Sequence, residues 1–207
     1  MSTKTITAAV AMALTILVAA AVTGNTTPAG KNTQSAMIAQ NRTRVARGEY
    51  LVTVGGCNDC HTPLKMGANG PEPDFSRRLS GHPSKLVMPA APKLGNGPWA
   101  WSGAITNTAF AGPWGISYAR NLTPDQVSGL GIWNEQLFIK TVRTGRHMGT
   151  GRPILPPMPW QNVGAMTDDD LKSVYAYLRS IPAVRNEVPD AILAPPPPPA
   201  SQPAAAK

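Results

Sequence analysis

Cys57-Asn58-Asp59-Cys60-His61 is the stretch on which the reading of this chain turns. Two thiols three positions apart, followed at once by an imidazole, match the attachment pattern of a c-type haem. The spacing suits the chemistry: the two thiols bond the two vinyl groups of one porphyrin, and the adjacent ring lies beneath the iron as proximal ligand. Three other readings compete. A thioredoxin-like redox pair needs a strand–helix unit beside the CxxC, and none is visible. A zinc site needs two further ligands, and His82 and His147, the only other histidines, match no finger spacing. A disulfide between Cys57 and Cys60 would close too small a loop to stabilise much. The motif uses both cysteines of the chain, so the sequence predicts one covalent haem c.

Outward from the motif, composition supports a chain wrapped around something large and flat. Gly and Pro account for 41 of 207 residues, while aromatic residues are only 6%. Such a chain has long loops and few regular elements, and a bound porphyrin would supply apolar bulk that it lacks. The formal charge is +8, but charged residues are only 14% and no basic run or stripe occurs, which argues against a nucleic-acid binder. Two cysteines exclude a disulfide-dense scaffold.

The ends read as appendages. Residues 1–24 place Lys4 before an apolar run from Ala8 to Val22, followed by Gly24, the layout of a secretory signal peptide. Export, to the periplasm or an equivalent compartment, is expected, and a retained N-terminal membrane anchor is the alternative. Residues 25–40 read as a linker. From Ala191 the chain runs AILAPPPPPASQPAAAK, a Pro-rich tail expected to be disordered at 191–207. The folded unit is thus 41–190.

Within it three stretches carry helical patterns: Asn41–Val54, Trp133–Thr144 and Thr167–Ser180. The last is the clearest, with Thr167 as cap, Asp168, Asp169 and Asp170 in the first turn, and Leu171, Val174, Tyr175 and Leu178 as stripe. Between Thr62 and Leu130 periodicity is lacking, and Gly and Pro recur. The fold class expected is mainly α, helices around one covalent haem, with a long irregular loop insertion and no sheet of note.

The iron's sixth position has several candidates. Met66, Met88, Met148, Met158, Met166, His82 and His147 are the donors available. Met158 is preferred, because Pro156, Pro157 and Pro159 stiffen the backbone on both sides and leave little entropy to lose on ligation. His147, Met148 and an open position are the alternatives. His147 and His82 read as surface histidines.

These motifs together resemble the bacterial class I cytochrome c family over about 41–187. The resemblance rests on GEYLV before CNDCH, NLTPD with GLGIW, TVRTG, PPMPW and the closing DDDLKSVYAYLRSIP. The layout is similar to cytochrome domains that accompany periplasmic or membrane-bound dehydrogenases. The resemblance implies that Cys57 and Cys60 hold the haem and that His61 and Met158 are the axial pair, with Gly48 and Tyr50 packing on Tyr177. It implies an electron carrier, not an enzyme, moving single electrons from a dehydrogenase or respiratory complex to an acceptor. Two alternatives stand beside it: a haem-bearing subunit of a larger membrane complex, and a five-coordinate haem enzyme or sensor. Arg42, Arg44 and Arg47, with Arg143, Arg146 and Arg152, predict a positive rim that would steer an acidic redox partner.

Overall fold

A computed structural model describes residues 28–93, 95 and 97–195. The expected signal peptide, and the tail from residue 196, lie outside the described residues. Among the described residues no helix is long and apolar enough to cross a membrane.

Helix α1 spans Pro28–Val54, and its C-terminal part packs against the body. There Leu51 and Val52 enter the core, and Gly48 faces the backbone of the last long helix, α5 (Asp168–Ser180). The helix begins thirteen residues before Asn41, so the stretch read as a linker is helical from Pro28 on. Its physical reason is local: Pro28 occupies the first helical position, where its missing N–H costs nothing, and good helix formers such as Ala36, Met37, Ala39 and Gln40 follow. It carries no apolar stripe, and residues 32–43 are exposed, so periodicity could not reveal it.

Helix α5 is capped as its sequence demands. The Thr167 side chain accepts from the Asp170 N–H at 3.2 Å, and Arg47 of α1 pairs with Asp170 at 3.0 Å. Helix α3 (Glu135–Thr144) starts two residues later than its pattern suggested, because Asn134 is the cap, its side chain accepting from Leu137 N–H at 2.8 Å. A short helix, α4 (Trp160–Gly164), precedes α5, and the long helices close a core of Leu51, Val52, Phe138, Val142, Leu171 and Leu178, joined by Leu79 and Leu130 from the loops.

The segment expected to be irregular contains sheet. Hairpin β1 (Leu64–Gly67) with β2 (Gly70–Pro73) follows the cysteine motif. Further on, β3 (Ser102–Gly103), β4 (Ala109–Gly112), β5 (Gly115–Tyr118) and β6 (Ile192–Leu193) form one antiparallel sheet in that order. The mainly α expectation therefore holds only roughly. These strands span two to four residues, and Ala109, Phe110 and Ala111 are buried in succession, so no alternation marks them. Strand β6 also corrects the tail. Ile192 pairs with Ile116 and Leu193 with Gly115. Gly115 has φ +102°, and a Cβ there would strike the Ile192 carbonyl oxygen and lie 2.6 Å from the Ala194 nitrogen.

A strap of residues 184–190 connects α5 to β6 across the loops. Asn186 pins it, 2% exposed. Its amide donates to the Ser80 and His82 carbonyls at 2.7 and 2.8 Å, and its side-chain oxygen accepts from Ser84 N–H and Arg77. Asn186→Ala strands these partners, and each buried orphan costs about 1–3 kcal/mol. A loss of at least ~3 kcal/mol in urea unfolding is expected, and a loss below ~1 kcal/mol would contradict this role for Asn186.

Candidate functional site

Gly55 and Gly56 stop α1, and a single turn of helix, α2 (Cys57–His61), carries the cysteine motif. Gly56 sits at φ +67°, the left-handed turn that redirects the chain. Both thiols are free and line a cavity of about 400 Å³, a size within the range of ligand pockets. Burial pushes the Cys57 thiol up to about 11 and raises Cys60 as well. A reactive redox pair needs a lowered thiol pKa, so the thioredoxin-like reading finds no support. Among the described residues no group of three or more His, Cys, Asp and Glu side chains converges, so a tetrahedral zinc site lacks its donors.

His61 is 8% exposed, and its Nδ1–H donates to the Arg120 carbonyl at 2.7 Å. A carbonyl only accepts, so Nδ1 carries the proton and Nε2 keeps its lone pair. Burial lowers the His61 pKa, which keeps the ring neutral. An imidazole held in this way is the usual arrangement of an iron or zinc ligand. The Arg120 carbonyl is itself positioned by its neighbours: Ala119 N–H donates to Thr108 O, and Leu122 N–H to Leu79 O.

Met158 lines the same cavity. Residues 145–160 fold as a closed loop. The Ile154 N–H donates to the Gly145 carbonyl at 2.8 Å, Arg146 bridges Pro153, and the Trp160 indole lies against Gly145. Ser117 of β5 donates to the Pro156 carbonyl at 2.6 Å. The proline-bounded backbone around Met158 is therefore tied to the sheet on one side and to α3 on the other.

The other sixth-ligand candidates separate clearly. Met66 is exposed on the hairpin, and Met88 lines a separate shallow hollow beside β4. Met166 packs against the core near Gly55. His82 is fully buried rather than on the surface: its ring nitrogens bond the Thr108 hydroxyl and the Leu86 carbonyl, both at 2.9 Å. His147 and Met148 do line the cavity. His147 is half-buried, edge-on to Trp133 with ring centroids 5.7 Å apart, not the exposed residue its glycine-flanked setting suggested.

The NLTPD and GLGIW motifs build one wall. Asn121, 3% exposed, accepts from Thr123 N–H and donates to the Val184 carbonyl and Ser128 hydroxyl. Asp125 accepts from Ser128 N–H at 2.7 Å. The closed turn delivers Leu122 and Leu130 to the cavity. Phe110 and Ser117 supply a sheet wall that the sequence did not reveal.

A comparison with protein families matches residues 45–182 to the cytochrome c model. The chain belongs to the cytochrome c family. This cytochrome c is similar to the fructose dehydrogenase cytochrome subunit of Gluconobacter japonicus, 28% identical over 67% of the chain and 21% of that protein. It is likewise similar to the gluconate 2-dehydrogenase cytochrome c subunit of Pantoea cypripedii, 29% identical over 66% of the chain and 23% of that protein. The cytochrome c subunit of a quinone alcohol dehydrogenase from Gluconobacter oxydans is 26% identical over 70% and 24%. The chain spans less than a quarter of the length of these curated relatives. Family membership makes haem c the cofactor and electron transport the role of this cytochrome. The residues fit that group: paired thiols, a neutral imidazole with a free lone pair, and an apolar hollow beside both.

Proposed function

We propose that this cytochrome carries single electrons between a donor, a dehydrogenase or respiratory complex, and a downstream acceptor. In this reading Cys57 and Cys60 form the thioether links and His61 and Met158 are the axial ligands. The observation that carries it is that His61, with Nε2 unengaged, and Met158, on a braced loop, line one apolar cavity from separate segments. Bound haem supplies a one-electron iron couple.

The protein's own groups set how that couple behaves. Arg120 O fixes the His61 tautomer and raises the basicity of Nε2. A thioether opposite imidazole raises the potential relative to two imidazoles. The apolar wall formed by Leu122, Leu130, Phe138 and Val142 excludes water and disfavours the more highly charged oxidised iron. Haem held by both His61 and Met158 would leave substrate no place on the iron, so the chain would transfer electrons and would not catalyse a reaction itself. Export remains our reading of residues 1–24.

The names of the relatives support a second reading, a haem-bearing subunit held in a larger membrane complex, which co-purification in fixed stoichiometry would distinguish. The positive rim is partly neutralised: Arg44, Arg47 and Arg143 pair with Glu135, Asp170 and Asp168. Among the described residues Arg42, Arg146 and Arg152 have no carboxylate partner, so steering of an acidic partner would fall to them.

The test is a redox titration of mature protein followed in the visible spectrum. The expected result is a low-spin haem, a one-electron Nernst curve and slow carbon monoxide binding in the reduced form. A high-spin spectrum with rapid carbon monoxide binding would establish the five-coordinate enzyme or sensor instead.

A further inference from the structure

Three basic side chains meet at the cavity, and the electron-carrier reading leaves them without a role in holding the cofactor. Arg120, Arg152 and His147 all line it. The main chain places His147 and Arg152 opposite one another across the loop, the His147 backbone N–H donating to the Arg152 carbonyl at 3.0 Å.

Such a group repels itself unless an anion joins it. Among the described residues the carboxylate paired with this group is Asp190, 3.5 Å from Arg120 and 92% exposed. Arg120 is otherwise clamped by the carbonyls of Val188 and Pro189, at 3.1 and 2.9 Å, so its guanidinium is fixed in place. Arg152 makes only a 3.4 Å contact with the adjacent Pro153 carbonyl. Among the described residues it has no carboxylate partner, and the His147 ring has no hydrogen bond.

We infer that Arg120, Arg152 and His147 form a carboxylate-receiving rim that binds the two propionates of the haem. Arg120 is the fixed donor, pinned to the strap, and Arg152 and His147 are the donors on the Met158 loop. This assignment rests on the haem reading. Cations beside the propionates stabilise the less positive reduced state, so these residues position the cofactor and also raise its potential.

The experiment compares the reduction potentials of purified holoprotein carrying Arg152→Gln, Arg152→Lys or Arg146→Gln, with no redox partner present. Arg146 is the charge-matched control: its guanidinium bonds the Gly151 carbonyl and does not line the cavity. At fixed ambient potential, Arg152→Gln is expected to lower the reduced-to-oxidised ratio about tenfold, a shift of about 59 mV for one electron. Arg152→Lys should restore most of that shift. Arg146→Gln should move the ratio less than twofold. The carboxylate bands of the redox-induced infrared difference spectrum should move in Arg152→Gln alone. Equal shifts in Arg152→Gln and Arg146→Gln, or unchanged carboxylate bands, would overturn the rim while a pyridine haemochrome assay still showed thioether-linked haem. A negative haemochrome would instead overturn the haem reading.

Discussion

Met158→Ala is expected to abolish the weak sulfur-to-iron absorption band of the oxidised protein and to lower its reduction potential on the order of 0.2 V, a quarter of the roughly 0.8 V range that axial ligation commands. The thioether favours reduced iron, and removing it also opens the cavity to water. Carbon monoxide should then bind the reduced protein quickly. Met148→Ala is the matched control. Met148 lines the same cavity but is 44% exposed and sits at φ +52° in a turn between His147 and Gly149. Its removal should leave the band in place. A band that survives Met158→Ala and vanishes with Met148→Ala would transfer the ligand role to Met148. In the proposed reading the haem would stay attached in either variant, because thioether links through Cys57 and Cys60 would be untouched.

The second large effect is structural. Gly48→Val should cost at least about 3 kcal/mol, the upper range for overpacking, since the obstacle is backbone and not a flexible side chain. A Cβ at Gly48 would fall inside the envelope of the Ser173 carbonyl oxygen and lie 2.7 Å from Tyr177 Cβ. Helix α5 would have to withdraw from α1, pulling Val174 and Tyr177 out of the core with Leu51 and Val52. For a domain of this size the melting temperature should fall by roughly 2–4 °C per kcal/mol. Gly48→Ala is the sharper version. In a free helix Ala is about 1 kcal/mol better than Gly, yet here it should destabilise. An unchanged or raised melting temperature for Gly48→Ala would show that the two helices do not approach this closely.

Some of this architecture was legible in the sequence. The Cys57–His61 motif could be read because covalent attachment fixes residue types and spacing, leaving tertiary context little to add. Helix α5 could be read because cap, first-turn carboxylates and apolar stripe agree with one another. Non-local contacts hid the rest. His82 looked like a turn histidine because its burial depends on Thr108, 26 residues away, and on a carbonyl four residues ahead. The sheet escaped notice because its strands are too short to repeat a pattern and β4 is built of Ala, Phe and Gly. Arg120 O, which orients His61, is a main-chain atom, and no side-chain motif announces it. The Met158 candidacy came from proline stiffness and from the PPMPW motif of the family resemblance. The ties from Ser117 and Gly145 give that stiffness its tertiary basis.

The unpacked first turns of α1 have a mechanical consequence. A helix rises 1.5 Å and turns about 100° per residue, so the stem from Pro28 to the packed body acts as a rigid lever about 20 Å long. Pro28 is thereby carried at a set reach and bearing from the packed body. Removing seven residues from this lever would shorten its reach by about 10 Å with little change of bearing, whereas removing two would swing the body to nearly the opposite side.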